Sequence, residues 1–193
     1  MRFAVYGAGA IGAYMGAKLS AAGEDVALIA RGPHLEAIRE NGVRIRSSDG
    51  DFDARLMATN DPNEIGKVDV VVLAVKAHGL TAIAPLLAPM LGPNTIVLPA
   101  QNGIPWWYFQ SHGGRWEGTQ LESVDPGGII TKHIATERIV GCVVYPAATI
   151  VEPGIIRHEE GNRFSIGELD GSSSSRCKEL AAAIGSSGLR APV

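Results

Sequence analysis

The 193-residue chain has only two cysteines, Cys142 and Cys177. They lie far apart and lack the paired spacing of a metal site, so neither a disulfide framework nor a zinc module is expected. Charged residues make up only 19% and the net charge is −3, so the chain has no basic footprint for nucleic acid or an anionic membrane surface. No apolar run approaches membrane-spanning length; the longest, Val70 to Val75, has the length of a strand. The first strand is expected to begin at Arg2, which leaves no room for a signal peptide, and free thiols then suit a reducing, cytoplasmic compartment. There is no G-x-S-x-G elbow, and no lysine follows the G-x-x-x-x-G to make a triphosphate loop. His34, His78, His112, His133 and His158 show no zinc-like spacing. There is no internal repeat, and low complexity is confined to the serine run 172–175. What remains is 46% hydrophobic, enough for a globular domain of ordinary size, expected to span 1–193.

The informative stretch is the first thirty-one residues. Phe3 to Tyr6 reads as a short buried strand, followed at once by Gly7-Ala8-Gly9-Ala10-Ile11-Gly12. Ala13 to Ala22 reads as a helix of small residues, and Asp25 to Ala30 as a second apolar strand. Strand, G-x-G-x-x-G, helix and strand together form a dinucleotide-binding fingerprint. Gly7 allows the tight turn, Gly9 lets a phosphate approach the backbone, and Gly12 lets the helix lie close to the sheet. The helix N-terminus then offers free N–H groups and partial positive charge to a pyrophosphate.

The acidic residue that commonly follows the second strand and bonds the ribose 2′-hydroxyl is missing. Arg31 stands in its place, and a guanidinium suits a 2′-phosphate through a charge-assisted fork. The expected cofactor is therefore NADP(H) rather than NAD(H); the alternative reading of Arg31 is a solvated loop cation.

Further along, Pro33 to Glu40 reads as a short helix closed by Asn41-Gly42. Val43 to Arg46 alternates like a half-exposed strand, and Phe52 to Met57 is expected to return as its hairpin partner. Val68 to Val75 reads as a central parallel strand covered on both faces. Leu80 to Leu91 reads as a helix interrupted by Pro85, and Thr95 to Ala100 as another buried strand. Residues 112–128 are expected to form a long surface loop. Arg138 to Ala147, Gly154 to His158 and Arg163 to Ile166 read as antiparallel strands, Arg176 to Ile184 as a helix, and Leu189 to Val193 as the start of a further element. The fold expected is α/β: a Rossmann-type doubly wound parallel sheet extended by antiparallel strands.

In such sheets ligands sit beyond the carboxyl ends of the strands. That rule singles out Lys76 after the central strand and Gln101-Asn102 after the next. A lysine just before a helix is mildly unfavourable, by roughly 0.3–1 kcal/mol, unless an anion binds beside it; an ordinary solvated lysine is the plainer reading. Asn102 offers donor and acceptor to a ribose, carboxamide or carboxylate, but Asn-Gly is also a common turn pair. Trp106 to Phe109 serve either as packing or interface, or as a wall for nicotinamide or substrate. His34 either assists Arg31 or is a simple loop histidine.

With these residues assembled, the chain resembles the nucleotide-binding domain of the ketopantoate reductase (2-dehydropantoate 2-reductase) family. The resemblance rests on Gly7 to Gly12, Ala30-Arg31-Gly32, Leu73-Ala74-Val75-Lys76, Gln101-Asn102-Gly103, and the later Glu152 to His158 and Phe164 to Glu168. It implies NADPH-dependent reduction of a small-molecule 2-keto acid, of the ketopantoate-to-pantoate type in pantothenate biosynthesis. By the resemblance Arg31 holds the 2′-phosphate, Lys76 lies by cofactor and substrate, and Asn102 holds the nicotinamide end or the substrate. The family's second, helical domain carries the general-acid lysine; it is expected beyond Val193, and none of the five lysines present matches it. The uncovered face is expected to leave an apolar patch near Trp106 and Trp107 and to favour a homodimer. The competing expectations are an NADP(H)-binding module without turnover of its own and, more remotely, a scaffold that has lost its ligand.

Overall fold

The computed structural model describes residues 1–111 and 113–193. His112, which opens the expected 112–128 loop, lies outside the described residues. In chain order the elements are β1 (Arg2–Tyr6), α1 (Ala10–Ala21), β2 (Asp25–Ile29), α2 (Gly32–Asn41), β3 (Val43–Ser47), β4 (Phe52–Ala54), β5 (Met57–Thr59), β6 (Val68–Leu73), α3 (Leu80–Ile83), β7 (Leu91–Pro99), α4 (Ile129–His133), β8 (Gly141–Val144), β9 (Ala147–Glu152), β10 (Ile155–Glu160), β11 (Phe164–Gly167) and α5 (Ser175–Ser186).

A five-stranded parallel sheet runs in the order β5-β2-β1-β6-β7. Its strands are apolar on both faces, and the strand period of two divides them cleanly. Phe3, Val5, Val26, Leu28, Val70, Val72 and Leu98 enter one core, whereas Ala4, Tyr6, Ala27, Ile29, Val71, Leu73 and Val97 enter the other. The chain leaves β1 toward β2 on one side, while β6 joins β1 on the other. The carboxyl ends of β1 and β6 thus frame a topological switch point, where such sheets place their ligands.

Helix α1 is buried on almost every side, including Gly12, Ala13, Met15, Gly16 and Ala17. It lies between the parallel sheet and a second, four-stranded sheet ordered β4-β3-β10-β9. That explains its small residues. A Cβ on Gly16 would stand 2.7 Å from Leu28 Cδ2. On the opposite side Tyr14 stacks on the His158 ring with centroids 4.4 Å apart. His158 is a core residue: Nε2 donates to the Gly161 carbonyl, so Nδ1 accepts from the Ser47 hydroxyl. Burial pushes the Tyr14 phenol up to about 12.

Several expectations need correction. Phe52 to Met57 is two strands. β4 forms the hairpin with β3, but β5 crosses to the edge of the parallel sheet beside β2. Leu80 to Leu91 is not one helix: α3 spans a single turn, and Ala84–Met90 tightens into a 3-10 segment with Pro85 and Pro89. The later strands are not all antiparallel. β10 pairs antiparallel with β9 but parallel with β3. β8, which pairs antiparallel with β11, is tied to the parallel sheet through bridges Val97–Ile139 and Ala100–Cys142. The expected loop contains the buried Asp125, whose carboxylate accepts from the Ile130 and Thr131 N–H groups and the Thr131 hydroxyl, and so caps the unforeseen α4. Leu189 to Pro192 runs beside β11, with Arg190 and Pro192 accepting from Phe164 and Ile166.

Candidate functional site

The turn after β1 is built as the glycines require. Gly7 takes φ +100°, and a Cβ there would lie 2.7 Å from Val75 Cγ1 and 2.9 Å from Val75 N. The Gly7 and Ala8 N–H groups both donate to the Ile29 carbonyl, which fastens the turn to the end of β2. A Cβ on Gly12 would stand 2.1 Å from the Gly7 carbonyl oxygen and 2.9 Å from Ala74 Cβ. The first turn of α1 therefore rests directly on the loop and on the end of β6.

Gly9 is the opposite case: a Cβ there would meet nothing within 4 Å, so the space over the loop is open. Gly9 is also the N-cap of α1, and no side chain caps the helix. No acidic residue occupies its first turn. The helix N-terminus thus has neither a side-chain cap nor an acidic partner, and it lies beside the open position at Gly9, an arrangement suited to an anion.

Arg31 follows β2 at the N-cap of α2 and is exposed. Burial pushes the Tyr6 phenol at the end of β1 upward, and the Arg31 charge partly offsets that push. Lys76 follows β6 and caps a 3-10 turn, Ala77–Gly79, through its backbone. Its side chain is exposed, and no hydrogen bond or ion pair holds its ammonium among the described residues.

Asn102 is more constrained. Its Nδ2 donates to the Val144 carbonyl at 2.8 Å, and its Oδ1 accepts from the Val144 N–H at 2.9 Å. The side chain thereby acts as an extra strand residue joining the loop after β7 to the end of β8. One N–H and one lone pair remain for a ligand. Its neighbour Gln101 donates to the Val75 carbonyl and ties the same loop to the end of β6.

Beyond the end of β7, beside β8 and β11, opens a cleft of about 600 Å³, which Asn102 lines but the glycine loop, Arg31 and Lys76 do not. Asn102, Trp107, Tyr108, Val143 and Ile166 contribute to its mostly apolar wall. The aromatic row combines packing with cleft lining. Trp106 and Trp107 both line the cleft; Trp106 is buried in the core, and Trp107 packs against that core with a buried indole N–H that has no partner among the described residues. Ile104, Tyr108 and Val143 stand exposed at the mouth. Three ionisable groups line the cleft: Tyr108, Glu168 and Cys142. Glu168 is held below the usual carboxylate range, chiefly by the Arg176 guanidinium that bridges it, with Ser174 adding a hydrogen bond. Burial pushes the Cys142 thiol up to about 12.

His34 lies outside this set of strand ends, although its ring touches the glycine loop: Nε2 is 2.7 Å from the Ala8 carbonyl oxygen. Gln101 carries no sequence signal beyond position, since its partner is the main-chain carbonyl of Val75 in a distant segment. Among the described residues no group of three or more His, Cys, Asp or Glu could hold a metal ion, and no helix is long and apolar enough to cross a membrane.

Comparison with known proteins matches residues 3–106 to the family described as ketopantoate reductase PanE/ApbA. A 2-dehydropantoate 2-reductase of Mesorhizobium japonicum is 49% identical over 194 residues, covering 100% of this chain and 60% of that protein. A solved structure from Ralstonia solanacearum MolK2, provisionally described as a ketopantoate reductase, superposes with a TM-score of 0.94 and 41% identity over 99% of this chain and 59% of its own. D-mandelate dehydrogenase, solved with NADH and anilino(oxo)acetate, superposes with a TM-score of 0.79 and 25% identity over 99% of this chain and 56% of its own. The chain thus spans less than two thirds of these relatives.

Proposed function

Since the chain belongs to the ketopantoate reductase PanE/ApbA family, we propose that residues 1–193 form the cofactor-binding domain of an NADPH-dependent reductase of 2-keto acids. The observation that carries this reading is the uncapped α1 N-terminus beneath the open space over Gly9, with Arg31 at the end of the neighbouring strand. Gly7 to Gly12, with Ala8, Ala10 and Ile11 between the glycines, would hold the pyrophosphate, and Arg31 the 2′-phosphate. Bound nicotinamide would supply the hydride that reduces the keto carbon. Asn102 keeps a free N–H at the cleft rim and holds β8 in register with the loop. Lys76 offers an unpaired cation to a phosphate or to the substrate carboxylate. The apolar wall accommodates the carbon body of a 2-keto acid and excludes water from it. The exposed Ile104, Tyr108 and Val143 support self-association through the cleft mouth.

A second reading, a cofactor-binding module without turnover of its own, is favoured by the state of two of the cleft's three ionisable groups. Glu168 is held ionised and Cys142 protonated, so neither is poised near neutrality.

Arg31 supplies the test of cofactor choice. Loss of a charge-assisted pair is worth roughly 1.5–3 kcal/mol, so Arg31→Ala should weaken NADPH about ten- to a hundredfold and leave NADH nearly unchanged. Calorimetric titration of wild type and variant with both cofactors measures this. A uniform loss for both, or none for either, contradicts the assignment of Arg31.

A further inference from the structure

His34 makes two hydrogen bonds to segments that are otherwise remote. The Gly154 N–H donates to its Nδ1 at 3.0 Å. Nδ1 is therefore unprotonated, and the ring proton sits on Nε2, which donates to the Ala8 carbonyl at 2.7 Å. Gly154 is the β9–β10 turn, with φ +77°, and its carbonyl accepts from the Arg44 N–H of β3. A Cβ there would lie 3.2 Å from Ala37 Cβ, so the turn is also packed on α2. The second sheet thus reaches the glycine loop through an imidazole as well as through its packing on α1.

The peptide between Ala8 and Gly9 is planar and trans, so its carbonyl and its N–H point in opposite directions. Drawing the Ala8 carbonyl toward His34 turns the Gly9 N–H away from the ring. That N–H has no partner among the described residues, and it belongs to the residue over which the loop is open. We propose that His34 is a positioning residue for the dinucleotide site: as the Nε2–H tautomer it sets the orientation of the Ala8–Gly9 peptide and couples the cofactor loop to the β9–β10 turn. This rests on the cofactor reading above and adds to it an α2 residue that acts through the main chain of the loop.

The 193-residue chain permits the test. The ring ¹⁵N shifts of His34 without cofactor should show a protonated Nε2 and an unprotonated accepting Nδ1. NADPH should then shift the Gly154 amide resonance along with those of Gly9 and Gly12. His34→Phe keeps the ring volume and removes both bonds; it should raise the NADPH dissociation constant about tenfold. His34→Gln retains one donor and one acceptor, and should recover at least half of that loss on a logarithmic scale. A protonated Nδ1 overturns the proposal. So does a Gly154 resonance that stays fixed while NADPH saturates the loop, or a folded His34→Phe with wild-type affinity. If His34→Phe does not fold, the wild-type resonances decide alone. Wild type that fails to bind NADPH while showing the expected tautomer instead refutes the cofactor reading, and His34's positioning role falls with it.

Discussion

Gly12→Val should abolish NADPH binding and lower the melting temperature by roughly 10 °C or more. A Cβ at this position would stand 2.1 Å from the Gly7 carbonyl oxygen and 2.9 Å from Ala74 Cβ. Neither is the end of a flexible side chain. The first belongs to the turn that shapes the phosphate site, and the second is fixed to the chain leaving β6. Overpacking a core costs about 1–3 kcal/mol when side chains can yield, and more when backbone must move. Each kcal/mol lowers the midpoint by about 2–4 °C in a chain of this length. The helix can relieve the clash only by lifting from the sheet, which carries its N-terminal N–H groups away from the loop. Stability and affinity should therefore fall together, by about a hundredfold or more in affinity. Calorimetric melting and a fluorescence titration read the two quantities. Wild-type values for both would mean that α1 does not rest on the loop.

The 193-residue chain should bind NADPH and yet reduce ketopantoate negligibly. Reduction of a keto group needs a proton for the developing alkoxide as well as a hydride, and a well-matched general acid contributes about 10²–10⁴-fold. Among the described cleft residues there is no lysine or histidine, and the one tyrosine, Tyr108, stands exposed to water at the mouth. Glu168 is held ionised by Arg176, and the Cys142 thiol, pushed up to about 12, is too weak an acid. Lys76 does not line the cleft wall. The chain also spans only 60% of its Mesorhizobium relative. A longer protein including the remainder of that length should turn over, and in it Lys76→Ala and Asn102→Ala should each lower kcat/KM. Decay of NADPH absorbance with a panel of 2-keto acids gives the rates. Robust turnover by residues 1–193 would place the proton donor among residues assigned here to structure.

The parts of this architecture legible in the sequence are those with local causes. The glycine turn, α1, β1, β2 and β6 follow from glycine positions and continuous apolar runs, and the structure has them. Leu80 to Leu91 has a helical pattern of apolar residues, but two prolines remove donors and tighten the chain into a 3-10 segment. Phe52 to Met57 looks like one strand because nothing between Ala54 and Met57 marks the jump from one sheet to the other. The parallel pairing of β10 with β3 joins residues more than a hundred positions apart, with no turn to announce it. His34 was invisible as a strut for the same reason, since Gly154 lies 120 residues away. Asn102 was legible as a strand-end polar residue, but its clamp on Val144 depends on β8 arriving beside it. The small residues of α1 did carry a signal: a helix apolar on every side is buried on every side, and here the second sheet covers it.

Calorimetric titration of the 193-residue chain with NADPH and with NADH tests the central claim most directly. An uncapped helix N-terminus under an open glycine loop, with Arg31 at the neighbouring strand end, predicts one saturable site per chain and NADPH tighter than NADH by about tenfold or more. Absence of saturable binding would contradict the cofactor site itself, and equal affinities would contradict the role given to Arg31.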